Sequence, residues 1–342
     1  MSISSKSAAK ALRRAAVATV AFATIVGLAA CSPGGEAAPE TQAPATDYPD
    51  RQITYIIPYD PGGATDTAGR EFASQLGAEL GGTVVPMNQA GGSGLVGVTA
   101  AVTAEPDGYT LGFGAPGAIL IQPLVDDSIA TASTDDYTPI ALTGTGPFAL
   151  LVGGDSEWNS LEDLVDYAKD HPGEVQIATT GGLAINTFVI HAFAAEAGIE
   201  VTPIPFDGST EGQRALLGNQ VQALVASASG VVGQVESGEM KALAVSGTED
   251  FRDLPDTPTF DSEGYYVPFE GAYLTVAPKG LPDDVLQRIL DATAVVLESD
   301  AWKEWCAENG TTPKNITGDA LTDWIHEQQD ALKPYLELVQ GG

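Results

Sequence analysis

Between Tyr48 and Phe113, apolar runs of strand length alternate with runs of helix length, and this alternation restricts the fold more than any other feature. Ile53 to Ile57 reads as a strand, Thr65 to Leu80 as a helix, Thr83 to Met87 as a strand, Leu95 to Ala104 as a helix and Thr110 to Phe113 as a strand. Strands separated by helices need crossover connections, which lay the strands parallel in one sheet. The pattern then restarts. Phe148 to Val152, Val175 to Thr179, Val201 to Pro205, Ala223 to Ala226 and Ala242 to Ser246 read as strands, with helices over Asn186 to Ala197 and Thr210 to Leu217. A further helix opens at Ser160, where Asp163 completes a capping box. Gly271 to Ala277 reads as a strand returning to the first sheet. In the helical tail, Pro282 starts a segment in which Val285, Ile289, Ala292 and Val296 form one apolar stripe. Asp300 is expected to cap a short helix ended by Gly310, and Thr317 to start the last helix, interrupted by Pro334. The chain is therefore read as α/β with two lobes, residues 48–147 with 272–342 and residues 148–271.

Residues 1–30 are read as an export signal outside this fold. Lys6, Lys10, Arg13 and Arg14 form a positive leader, and Ala15 to Gly27 is an apolar core too short to span a bilayer comfortably. Leu28-Ala29-Ala30-Cys31 then matches the lipobox of bacterial lipoproteins. Cleavage there would leave Cys31 as the N-terminus with a diacylglyceryl group, and two acyl chains suffice for stable anchoring. The alternative is an ordinary signal peptide with an incidental cysteine. Arg13-Arg14 would suit a twin-arginine signal, but the residues around it fit poorly. Ser32 to Asp47 holds Pro, Gly, Ala, Thr and Glu without a large apolar side chain, the composition of a disordered tether, so residues 31–47 are read as a linker reaching roughly 20 Å. The 295 residues from Tyr48 onward favour two domains over one.

Charge excludes several partners. Without the four basic residues of the leader, 11 Lys and Arg face 46 Asp and Glu, a balance of −35. Such a surface repels nucleic acid and anionic lipid headgroups, so membrane contact is expected only through the anchor. The second cysteine, Cys306, lies beside Trp302 and Trp305 in a helical stretch and is expected to be buried, with no disulfide if Cys31 is lipidated.

Two glycine-rich loops, "PGGATD" and "NQAGGSG", follow strands and open helices. This is where open α/β sheets place ligands, and helix-start amides favour anions without any Lys or Arg. Neither loop contains a basic side chain, so the donors would be amides with Thr65, Thr67, Ser93 and Asn88, suited to a carboxylate or a phosphate. Asp66 disfavours a bare polyphosphate; it would contact a ligand or cap its own helix. The Walker pattern is missing its lysine. Gly92-Ser93-Gly94-Leu95-Val96-Gly97 does match the dinucleotide fingerprint, but no acid ends the following strand and the compartment is extracytoplasmic. His171, His191 and His326 lie in separate segments, no metal ligand set is spaced for binding, and no Gly-x-Ser-x-Gly elbow occurs. Acid pairs such as Asp126-Asp127 are read as solvated loop. No enzymatic activity, cofactor or metal is expected.

"YPDRQITYIIPYDPGGATDTAGR", "NQAGGSGLVG", "PDGYTL", "PIPFDGSTEGQRALLGNQVQALV", "GEMKALAVSG", "LPDTPTF" and "LTVAPKGLPDDVLQRI" resemble, in order and spacing, the substrate-binding proteins of tripartite tricarboxylate transporters, the TctC or Bug family. The likeness runs from Tyr48 to Tyr335. It implies a two-lobed periplasmic-binding-protein fold, type II-like, each lobe a mainly parallel sheet flanked by helices, closing on a small organic anion. In that family one carboxylate is gripped by loops matching Pro61 to Asp66 and Asn88 to Gly94. The facing lobe contributes segments matching Thr179 to Thr187 and Phe206 to Thr210. The candidate ligand-binding residues are thus Tyr59, Pro61, Gly62, Gly63, Ala64, Thr65, Asp66, Asn88, Gly92, Ser93, Gly94, Thr179, Thr180, Asn186, Thr187, Phe206, Gly208 and Ser227.

Three departures concern the ligand. Leu183-Ala184-Ile185-Asn186-Thr187 replaces a Gly-Ser-Ser and Thr-His pattern, Phe206-Asp207-Gly208 replaces Tyr-Lys-Gly, and Ala226 stands where an acid is frequent. The second lobe is therefore more apolar than usual, and Asn186 and Thr187 are left as substitute donors or helix caps. The resemblance implies a monomeric, lipid-anchored solute-binding protein delivering a carboxylate to membrane permease subunits. Presentation of the ligand to a sensor kinase by the same fold is the alternative.

Overall fold

The computed structural model describes residues 48–247 and 250–336. The export signal, Cys31 and the tether lie outside the described residues. The elements run β1 (Ile53–Ile57), α1 (Ala64–Leu80), β2 (Val84–Asn88), α2 (Leu95–Val102), β3 (Thr110–Gly114) and β4 (Tyr137–Gly153). They continue as α3 (Leu161–Asp170), β5 (Gln176–Thr179), α4 (Ile185–Ala197), β6 (Thr202–Pro205), α5 (Ser209–Leu217), β7 (Ala223–Ser227), α6 (Val232–Glu236) and β8 (Met240–Val245). The last are β9 (Glu270–Pro278), α7 (Asp283–Glu298), α8 (Asp300–Glu308), β10 (Thr312–Thr317) and α9 (Gly318–Leu332).

The crossover units form as the alternation requires. β1 lies between β2 and β3, parallel to both, and β5 lies between β6 and β7 in the same manner. Between these two parallel sets the sheet is antiparallel. β9 pairs β3 on one side and β4 on the other, and β4 pairs β7 and β8 through its second half. At 17 residues β4 is roughly 55 Å long and belongs to both sets. The sheets are therefore more mixed than crossover units alone produce.

Sequence patterning located the second half of β4 but read its first half as loop. Pro139, Gly144, Gly146 and Pro147 look like punctuation, yet the pairing with β9 absorbs them through register shifts between Pro139 and Ala141 and between Leu142 and Gly144. β10 was missed for a similar reason. "TPKNIT" is polar and carries a proline, which an edge strand tolerates, and it pairs β4 with its own shift after Pro313.

Helix ends follow local chemistry. Ser160 and Asp163 form the reciprocal capping box expected of α3. Gly81 ends α1 and Gly198 ends α4 in the left-handed region that favours glycine. One expectation is corrected: Ser299, not Asp300, caps α8, its hydroxyl accepting the Trp302 N–H at 3.0 Å. The apolar stripe of α7 is buried, and α7 packs on α1.

Trp302 anchors this side of the sheet. It is fully buried, meets Phe72 of α1 edge-on and stacks on Trp305, and its indole N–H donates to the Thr143 carbonyl of β4 at 3.2 Å. Cys306 is buried nearby, and burial pushes its thiol up to about 12, consistent with a packing role. Trp302→Ala is expected to destabilise the protein by about 3 to 5 kcal/mol, read as a lower urea midpoint at unchanged slope. A loss under about 1 kcal/mol would show that the indole is not an anchor.

Candidate functional site

The carboxyl ends of the parallel strands of both sets face one cleft. Tyr59 and Asp60 enter it after β1, Pro116 after β3, Thr180 after β5 and Ser227 at the end of β7. Its floor is made by the shared strands, Phe148 of β4 and Gly271 to Tyr273 of β9. It encloses about 640 Å³ of unfilled space, its opening to solvent included.

Three helices begin at this cleft. Gly63 to Asp66 of α1, Ala184 and Ile185 of α4, and Ser209 of α5 all line it. The N-cap positions are Gly63, Ala184 and Gly208, and none supplies a side-chain cap. First-turn amides have no carbonyl partner within their own helix, and each helix start carries a partial positive charge. Among the described residues the lining contains no Lys, Arg, His or Cys. Its anion-binding capacity therefore comes from amides and hydroxyls. Burial raises the Tyr59 phenol above its ordinary value.

The loop that presents α1 is braced from behind. Asp66 Oδ2 accepts the Gly62 N–H and Arg70 Nε, both at 2.9 Å, and Oδ1 accepts Asn88 Nδ2 at 2.8 Å. Asn88 Nδ2 also donates to the Tyr59 carbonyl at 2.9 Å, and its Oδ1 accepts Arg70 Nη2 at 2.6 Å. Burial alone would raise the Asp66 carboxyl, but the hydrogen bonds from Arg70, Asn88 and Gly62 outweigh it and hold the group below its usual value. Arg70 was missed in the sequence. The Asp66–Arg70 spacing of four on a helix was the available signal.

Across the cleft the two sets of elements touch. Ser93, held at φ 55°, accepts the Leu183 N–H at 3.2 Å. Gly181 and Gly117 make that approach possible, since a Cβ on either would meet Ser93 atoms at 2.2 and 2.7 Å. On the other side, a Cβ on Gly208 would meet Asp60 Cβ at 3.0 Å, and one on Gly230 would meet Ala64 Cβ at 3.4 Å.

The sequence candidates divide by position. Tyr59, Gly63, Ala64, Thr65, Asp66, Thr180 and Ser227 line the cleft. Pro61, Gly62, Gly92, Gly94, Phe206 and Gly208 stand outside the lining, Asn88 sits in the brace, and Ser93 contacts Leu183. Thr179 is buried behind the loop. Asn186 donates to the Val225 carbonyl at 2.8 Å and accepts Thr180 Oγ1 at 3.0 Å, while Thr187 donates to the Gly181 carbonyl at 2.7 Å; neither caps α4. The fingerprint glycines also have packing roles: a Cβ at Gly94 would meet Ala115 Cβ at 2.3 Å, and one at Gly97 would meet the Gln89 carbonyl at 2.6 Å. Sequence reasoning did not single out Asp60, Pro116, Ser209 or Tyr273. Asp60 adjoins the first glycine loop it had marked, and Ser209 lies inside the Phe206 to Thr210 segment it had marked.

A family profile described as "Tripartite tricarboxylate transporter family receptor" matches residues 68–340. BugT of Bordetella pertussis is 31% identical over 286 residues, covering 83% of this chain and 88% of its own. The structure of periplasmic binding protein BugD is similar with a TM-score of 0.79 and 26% identity, covering 85% of this chain and 98% of that one. An R. palustris protein solved with adipate has a TM-score of 0.81 at 24% identity, covering 86% and 99%. The chain belongs to the tripartite tricarboxylate transporter receptor family, and its α/β architecture is that of the periplasmic binding proteins.

Because the folded Asp66 carboxyl lies below its ordinary value, the stability it contributes is present above the unfolded value near 4 and is lost as pH falls through the folded one. Urea unfolding at a series of pH values from about 7 to about 3 should show stability falling below about pH 4, with a shallower fall in Asp66→Asn. An identical slope in the two proteins would count against the brace.

Proposed function

We propose that this receptor closes two lobes, residues 48–147 with 272–342 and residues 148–271, on a small organic carboxylate and delivers it to permease subunits of a tripartite transporter. The observation that carries this reading is the meeting of three helix starts without side-chain caps at one cleft that has no basic side chain. Uncapped amides offer two or three hydrogen bonds to a planar carboxylate and gain from its charge. A polyphosphate carries more charge than this lining, which also holds Asp60 and Asp66, is equipped to neutralise. The adipate held by the structural neighbour is a carboxylate of this kind.

The lobes are joined by β4 and β9, and closure is a hinge motion where these strands cross, near Gly146 to Phe148 and Glu270 to Ala272. Cys31 carries the lipid anchor, and residues 31–47 tether the folded part beside the membrane. The receptor acts as a monomer, binding its ligand without cofactor and without turnover.

A thermal-shift screen of the full chain against mono-, di- and tricarboxylates, sugars and nucleotides tests the reading. A carboxylate at 100 times its dissociation constant should add about 2.7 kcal/mol of stability. Gly63→Val should remove the shift while lowering the free protein's midpoint by no more than the loss of an N-cap glycine, about 1 kcal/mol, because Gly63 has φ −83° and a Cβ there meets nothing within 4 Å. A sugar or nucleotide that moves the midpoint when no carboxylate does would sink the proposal.

A further inference from the structure

We infer that the ligand is a carboxylate bearing an ammonium group on an otherwise apolar body, an apolar or aromatic α-amino acid, and that Asp60 is the residue that receives the ammonium. This rests on the carboxylate reading of the same cleft. Two acids line the cleft, and they differ in kind. Asp66 is matched by Arg70, Asn88 and the Gly62 amide. Asp60 accepts no hydrogen bond and joins no ion pair among the described residues, and no Lys or Arg lines the cleft to balance it. Its side chain stands beside the start of α5, where a Cβ on Gly208 would lie 3.3 Å from its Oδ2.

A cleft made of anion donors thus contains one unmatched carboxylate. A ligand that brought only negative charge would meet Asp60 with no counterion between them. An α-amino acid answers both halves: its carboxylate takes the helix-start amides, and its ammonium takes Asp60. The rest of the lining, Pro116, Phe148, Ile185, Ala272 and Tyr273, offers apolar surface to a side chain. Asp60 could instead serve only the closed contact with α5, and the two roles predict different patterns.

Calorimetric titration of the full chain with phenylalanine and leucine, and with their des-amino counterparts 3-phenylpropanoate and 4-methylpentanoate, separates them. One of the amino acids should bind about tenfold or more tightly than its counterpart, the scale of one charge-assisted hydrogen bond. In Asp60→Asn the amino acid should lose about tenfold or more while the des-amino acid binds more tightly, since a like charge has gone. Equal losses for both would assign Asp60 to the closed contact and overturn the inference. Tighter binding of the des-amino acids by the unmodified chain, or binding of a dicarboxylate alone, would overturn it and leave the carboxylate reading standing. If no carboxylate of any kind binds, both fall.

Discussion

The pairing of β4 with β9 along most of their lengths is the constraint on which the rest of the structure depends. β9 joins β3 to the first half of β4, and β4 continues past that pairing into β7 and β8, so β4 is bonded to both halves of the sheet system. Two parallel sets built by crossover connections would otherwise be separate bodies. Their strands end facing each other only because the shared pair fixes the register between them. The cleft follows from that geometry, since parallel strands deliver loops and helix starts at their carboxyl ends.

The cleft sets amide donors inside an otherwise acidic chain. A balance of −35 spread over the surface is screened within about 8 Å at physiological ionic strength, whereas amides in a partly enclosed cleft act at contact distance with little screening. Asp66 adds a fixed negative charge at the cleft, but Arg70 and Asn88 neutralise and orient it from behind. Its service is mechanical: by accepting the Gly62 N–H it fixes the loop from which α1 starts at the cleft.

The β1–α1–β2 and β5–α4–β6 units were legible because each is local, with an apolar period, a glycine turn and a helix start inside about 30 residues. The first half of β4 was not, because its prolines and glycines are accommodated by bulges against a strand more than a hundred residues away. Among site residues, Gly63, Thr65 and Tyr59 were readable from the loop that carries them. Phe148 and Gly271 to Tyr273 were read as crossing segments, and only the three-dimensional register shows that they also floor the cleft. Ser93 looked like a donor to a ligand, and its hydroxyl also accepts the Leu183 N–H, which leaves its O–H able to donate.

That contact explains the asymmetry of the site. The segment Leu183-Ala184-Ile185 departs from a hydroxyl-rich pattern, and its backbone donors are used as well: the Leu183 N–H goes to Ser93 and the Ala184 N–H to the Gly181 carbonyl at 3.2 Å. What remains on this side is the start of α4 with Ile185 standing beside it as an apolar wall. The α1 side keeps the amides after Gly63 and the Thr65 hydroxyl. The two walls of the cleft thus differ, polar at α1 and apolar at α4 and β9, and on the α4 side the Leu183 and Ala184 amides are already committed to contacts that hold the cleft together.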